Sequence, residues 1–143
     1  MPGPEGGFMD DVVLNKAAAI ERCIRRVREV HAGDDRNLTD DFTKQDSIIL
    51  NIRRGCETAI DLAMHLMRKH RLGIPQESRE AFTLLAGAGL LSEPLATRLA
   101  GMVGFRTVAV HEYQQIDLAV VSAIITKHLD DLQAFASLAL VRL

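Results

Sequence analysis

Between Phe42 and about His70, apolar or small residues recur at Ile49, Ile52, Cys56, Ile60, Ala63 and Met67, and nothing interrupts the helical spacing until Leu72-Gly73-Ile74-Pro75. A helix of that length is unusual in a small domain, and its apolar stripe has to be covered by other elements. The rest of the chain supplies them. From Asp11, the positions Leu14, Ala17, Ile20, Ile24, Val27 and Val30 mark a first long helix, with Gly33 as its stop. The intervening GDDRNLTDD reads as a polar loop whose Asp40 or Asp41 caps the long helix. SREAFTLLAGAG forms a shorter third helix. Ser92, Glu93 and Pro94 start a fourth, which runs through LATRLAGMVGFR and fades near Val110. A fifth extends from about Asp117 through Ile124, His128, Leu132 and Phe135 to Leu138. Val108-Ala109-Val110 is strand-like but lies between helical patterns. The expected fold is all-α, an antiparallel bundle of four to five helices.

With 143 residues, 48% of them hydrophobic, the chain suffices for one core. MPGPEGGF, with its Pro and Gly, cannot build a regular element, so residues 1–8 are expected to be a disordered leader and 9–143 a single domain. No apolar run approaches the roughly 20 residues of a membrane span, and no signal peptide is recognisable, which predicts a cytoplasmic protein without a membrane partner. A net charge of −2 excludes a histone-like coat, and no DNA partner is expected. Basic residues are nevertheless dense at Arg22–Arg28, at Arg53-Arg54 and at Arg68–Arg71; solvated helix faces account for them, and so does a local field for nucleic acid. Cys23 and Cys56 sit in apolar patterns without a CxxC partner and read as buried free thiols. His31 and His70 end helices, while His65 and His128 lack a second ligand at metal spacing, so no metal and no cofactor is assigned. There is no glycine-rich phosphate loop after a strand, and the chain is not expected to use ATP by itself.

FRTVAVHEYQQID (residues 105–117) contains an Arg, a His and the chain's only Tyr at spacings of five and two. On one straight helix Arg106 and Tyr113 fall on nearly the same meridian, and His111 points away from both. A helix that loosens around Val108 to His111 would turn His111 toward Arg106. Arg106 is a permanent cation with a planar fork suited to phosphate, and the ordinary pKa of His111 lets it give and take protons near neutral pH. Together they suit an RNA phosphate and an attacking 2′-hydroxyl. The blander alternatives are a surface ion pair of Arg106 with Glu112 or Asp117, a helix-capping His111, and an interface role for Tyr113.

Arg106, His111 and Tyr113 match an Arg-x4-His-x-Tyr signature, and the chain resembles the HepT-like branch of the HEPN superfamily over roughly residues 9–140. The stretches that carry the resemblance are MDDVVLNKAAAIERCIRRV, DFTKQDSIILNIRRGCETAIDLAMHL, LGIPQESREAFTLLAGAGLL and MVGFRTVAVHEYQQIDLAVV. It implies an all-helical homodimer, the toxin of a type VII toxin–antitoxin module paired with an MntA-like minimal nucleotidyltransferase antitoxin. It further implies that Arg106 and His111 form a metal-independent ribonuclease pair facing its copy across a dimer cleft. Tyr113 would be the hydroxyl that the partner adenylylates from ATP, silencing the toxin. Thr107 stands where the family usually has Asn; its hydroxyl offers a supporting hydrogen bond without the reach of an amide. Two other classes fit the same residues: a non-catalytic nucleotide- or partner-binding subunit, and an antitoxin-like masking protein.

Overall fold

A computed structural model describes residues 10–141, and the leader expected at residues 1–8 lies outside them. Asp10 accepts the backbone N–H groups of Val12 and Val13 at 3.0 and 3.2 Å and so opens α1 (Asp11–His31). The helix stops where Ala32 and Gly33 turn left-handed, at φ 52° and 73°. The segment expected to be a plain polar loop contains a single helical turn, α2 (Arg36–Thr39). Its cause is Leu38, which is completely buried and anchors the turn to the core.

Asp41, one of the two expected caps, accepts the Lys44 backbone N–H at 3.0 Å and starts α3 (Phe42–Lys69). Two shorter helices follow, α4 (Ser78–Gly87) and α5 (Glu93–His111). Ser92 caps α5 through the Leu95 N–H at 3.2 Å, with Pro94 in the first turn, where a missing N–H leaves nothing unsatisfied. After a 3-10 turn at Tyr113–Gln115, Asp117 caps α6 (Leu118–Ala123). A π-helical turn, Ile124–His128, joins α6 to α7 (Leu129–Val141). No strand occurs among the described residues.

α3 is the spine: α1, α4, α5 and α7 all pack on it. Asp10, at the start of α1, bonds His65 near the end of α3, so these two helices run antiparallel. All six residues expected to form the α3 stripe are buried. At Gly55 a Cβ would lie 3.5 Å from a Leu132 methyl and 3.6 Å from the Cys23 Cβ, which places the closest approach of α1, α3 and α7 at one residue. Phe82 of α4 meets Phe135 of α7 edge-to-face, ring centres 5.6 Å apart. In α1 the expected Ala17, Ile20, Ile24 and Val27 are buried and Val30 packs against the core, but in the first turn Val13 is buried and Leu14 faces outward.

Candidate functional site

α5 does not loosen at Val108. It stays helical through His111, and the Glu112 N–H closes its last turn on the Val108 carbonyl at 2.7 Å. The two β-branched residues cost only tenths of a kcal/mol in propensity, which burial of Phe105 and Ala109 offsets. On this regular helix Arg106 and His111 point about 140° apart, so within one chain they do not converge.

Arg106 faces α3. Its side chain is half-buried, and its Nε is shielded from solvent without a hydrogen-bond acceptor. The guanidinium lies close enough to Cys56 to oppose the rise of that thiol, which complete burial, helped by the Glu57 carboxylate, pushes up to about 12. Neither Glu112 nor Asp117 forms an ion pair with Arg106 among the described residues; Asp117 is occupied in capping α6. The Thr107 hydroxyl donates back to the Val103 carbonyl at 3.1 Å, so its proton is held within the helix.

His111 is exposed in the last turn of α5, and Tyr113 follows in the 3-10 turn. The Tyr113 hydroxyl donates to the Asp46 carboxylate on α3, while the residue as a whole stays 42% exposed. Shelter of the hydroxyl, then the hydrogen bond and charge of Asp46, push the phenol up to about 12. Asp46, Arg53 and Glu57 follow one side of α3, with the Arg53 Nε 3.5 Å from a Glu57 carboxylate oxygen but outside hydrogen-bond geometry. Arg106 and Tyr113 thus share the α3 side of α5, and His111 looks elsewhere.

The side that His111 continues is an open groove of about 620 Å³. Thr97, Gly101, Gly104 and Val108 form its α5 wall, and Ile116 and Val120 face them. His111 lies one turn beyond Val108. Neither Arg106 nor Tyr113 lines this groove.

The other histidines have partners. His31, buried at the end of α1, meets Asp35 at 2.7 Å, and His65 meets Asp10 at 2.7 Å. The His65 bond is the chief reason that the Asp10 carboxyl lies at about 2. His128 meets the buried Asp131 at 2.9 Å, which also accepts from Arg98. Of the two free thiols Cys56 is buried as expected, whereas Cys23 is only half-buried. Asp46 and Glu57 were not anticipated from the sequence, and Arg53 only as part of a basic pair with Arg54. Their spacing of seven and four on a long helix was a usable signal, but only the position of Tyr113 shows that it matters.

The profile of the ribonuclease HepT-like family matches residues 20–139. The mRNA nuclease HepT of Shewanella oneidensis is 48% identical over 127 residues, spanning 89% of this chain and 95% of that protein. A solved structure of a tri-AMPylated Shewanella oneidensis HEPN toxin in complex with an MNT antitoxin superposes with a TM-score of 0.85 at 47% identity, covering 91% of this chain and 97% of that one. A crystal structure of a toxin–antitoxin with AMP-PNP matches with a TM-score of 0.85 at 46% identity, covering 90% and 97%.

Proposed function

This chain belongs to the ribonuclease HepT-like family, and from that premise we propose that it is an RNA endonuclease toxin silenced by adenylylation of Tyr113. The observation that carries the proposal is Arg106: a guanidinium set into the α3 side of the bundle with a shielded Nε that no group among the described residues satisfies. A buried donor left unpaired costs on the order of 1–3 kcal/mol and marks a place where an acceptor from outside fits. A phosphate oxygen is the natural acceptor for that fork.

Separation of Arg106 from His111 supports a site completed by a second copy. His111 stands on the opposite side of a regular helix from Arg106, and the side that leads to it is an apolar, glycine-lined groove with the exposed Val120 in its wall. A homodimer packed across the His111 end of α5 brings His111 of one copy toward Arg106 of the other. In that cleft His111 takes the proton of an RNA 2′-hydroxyl. The 2′-oxygen forms a bond to phosphorus while the bond to the 5′-oxygen breaks; the 5′-oxygen takes a proton from water and leaves as a hydroxyl, a 2′,3′-cyclic phosphate remains, and Arg106 holds the phosphate oxygens. Proton transfer by His111 gives this step a route that uses no metal.

Adenylylation follows from the other side of the same segment. The Tyr113 hydroxyl attacks the α-phosphate of ATP held by an MntA-like nucleotidyltransferase; the new oxygen–phosphorus bond forms as pyrophosphate leaves, and Asp46 accepts the phenolic proton. The attached phosphate then lies on the Arg106 side of α5 and competes with RNA for that cation. His111→Ala should lower RNA cleavage at least about 100-fold with an unchanged helical spectrum. An unchanged cleavage rate in the purified variant would refute the nuclease. Intact-mass measurement after incubation with the nucleotidyltransferase and Mg-ATP should show adenylate on the wild type and none on Tyr113→Phe.

A further inference from the structure

Between α1 and α3 runs a second groove, of about 590 Å³, whose walls carry Arg22, Arg25, Arg26 and Arg54. Three acids line it as well, but each has a cation of its own: Asp61 meets Lys16 at 3.5 Å, Glu57 meets Arg53 at 3.5 Å, and Glu29 meets Arg26 at 3.9 Å. That leaves Arg22, Arg25 and Arg54 without an ion pair among the described residues. The contrast with Arg28, which continues the same basic run and is paired to Asp130 at 2.8 Å, shows that the run is not uniformly a neutralised surface.

The groove and Arg106 flank the same part of α3. The half-buried Cys23 thiol in the groove lies within the fields of both Arg22 and Arg54, and the buried Cys56 lies within reach of both Cys23 and Arg106. Arg53, next to Arg54 on α3, has an Nε that, like that of Arg106, is shielded and lacks a hydrogen-bond acceptor among the described residues.

We infer that this groove is an RNA-backbone track, an extended binding surface that holds the phosphates of a single strand on their way to Arg106. The inference rests on the ribonuclease proposed above. An acidic protein surface is the competing occupant, and the lining speaks against it: Asn51, Thr58 and Ala19 fill the spaces between the charges, and no aromatic or large aliphatic anchor of the kind that dominates protein interfaces is present. Unpaired guanidinium forks are what a phosphate chain uses.

The test is binding of a fluorescent single-stranded RNA of about 20 nucleotides to full-length protein carrying His111→Ala, so that the RNA stays intact, across a series of salt concentrations. Adding Arg22→Glu and Arg25→Glu should weaken binding at least about ten-fold near 0.1 M salt, and the log–log salt slope should flatten by about 1.4, two contacts at about 0.7 each. Arg68→Glu with Arg71→Glu makes the same change in net charge at the far end of α3 and should stay within about two-fold. Arg22→Ala with Arg25→Ala, which introduces no repulsion, should weaken binding in the same direction with the helical spectrum retained. Equal losses in the groove and the control variants would reduce the effect to net charge and overturn the track. So would unchanged RNA binding together with lost binding to the nucleotidyltransferase, which would assign the groove to a protein. A His111→Ala protein that retains no RNA at all removes the ribonuclease and the track together. RNA retained equally with and without the groove arginines removes the track alone.

Discussion

Tyr113 can be titrated alone, because the chain contains one tyrosine and no tryptophan, so absorbance at the tyrosinate band reports a single phenol. Shelter of its hydroxyl is the largest cause of its rise to about 12, and Asp46 supplies the rest through a hydrogen bond and its charge. Asp46→Asn removes the charge and keeps a hydrogen-bond acceptor of nearly the same shape. The midpoint should then fall below about 12 but stay above the ordinary 10, because shelter of the hydroxyl remains. The folded-state value is raised, so the phenol's contribution to stability is complete below pH about 10 and is lost as pH rises toward 12; the variant should lose less stability over that window. The kinetic consequence separates two explanations of the Asp46 contact. At pH 8 a phenol of pKa about 12 is ionised in only about one molecule in ten thousand, so transfer to ATP requires a group that accepts the proton during attack. If Asp46 is that group, Asp46→Asn should be adenylylated on the order of 100-fold more slowly although its phenol ionises more easily. Faster labelling would show that ease of ionisation governs the step, and an unmoved midpoint would show that the Asp46 contact is absent in solution; either result refutes the reasoning.

Three further outcomes are expected. Sedimentation equilibrium at micromolar concentration should give twice the 15.8 kDa chain mass, and a strict monomer would remove the shared cleft. Phe135→Ala empties a completely buried position against the Phe82 ring and should destabilise the protein by about 3–5 kcal/mol in urea denaturation; a loss below about 1 kcal/mol would mean the core is not packed as described. The Asp10 carboxyl lies at about 2, below its ordinary 3.8, so the stability it contributes is present above pH 3.8 and is lost as pH falls toward 2. Asp10→Asn, which can still cap α1, should flatten the acid limb of stability over that interval, and an unchanged limb would show that the His65 contact is of no consequence.

Helical periodicity made the bundle legible because long amphipathic helices announce themselves locally. The caps Asp41 and Ser92 and every expected core position of α3 stand where the spacing places them. What the sequence could not show were features decided by one tertiary contact. Leu38 in a polar stretch gives no periodic signal, yet its burial makes a helical turn of an expected loop. Likewise Leu14 and Val13 are adjacent apolar residues, and only the orientation of α1 against α3 selects Val13 for the core. The π-helical turn Ile124–His128 interrupts a run that reads as one helix. At the candidate site, the meridian argument correctly separates His111 from Arg106. The expectation that β-branched residues would loosen the helix gave them more weight than the burial of Phe105 and Ala109 allows.

The unbroken end of α5 has a consequence for how one short segment can serve both cleavage and its control. Had the helix loosened so that His111 turned toward Arg106, a single chain would carry a complete pair, and Tyr113 would be displaced with it. Because the helix holds, Arg106 and Tyr113 stay together on the α3 side, where Asp46 holds the phenol and the Arg106 Nε lacks an acceptor. His111 instead continues the apolar side of α5. Division of the motif between two sides of one helix makes the proposed nuclease depend on a second copy, while the proposed modification needs only one. An adenylate on Tyr113, as proposed, brings its negative charge to the cation proposed to hold RNA and leaves the proposed proton-transferring residue untouched. Silencing on this geometry acts by occupying the phosphate site, so its strength should follow the number of phosphates attached, each adding charge where Arg106 and the neighbouring arginines are unpaired.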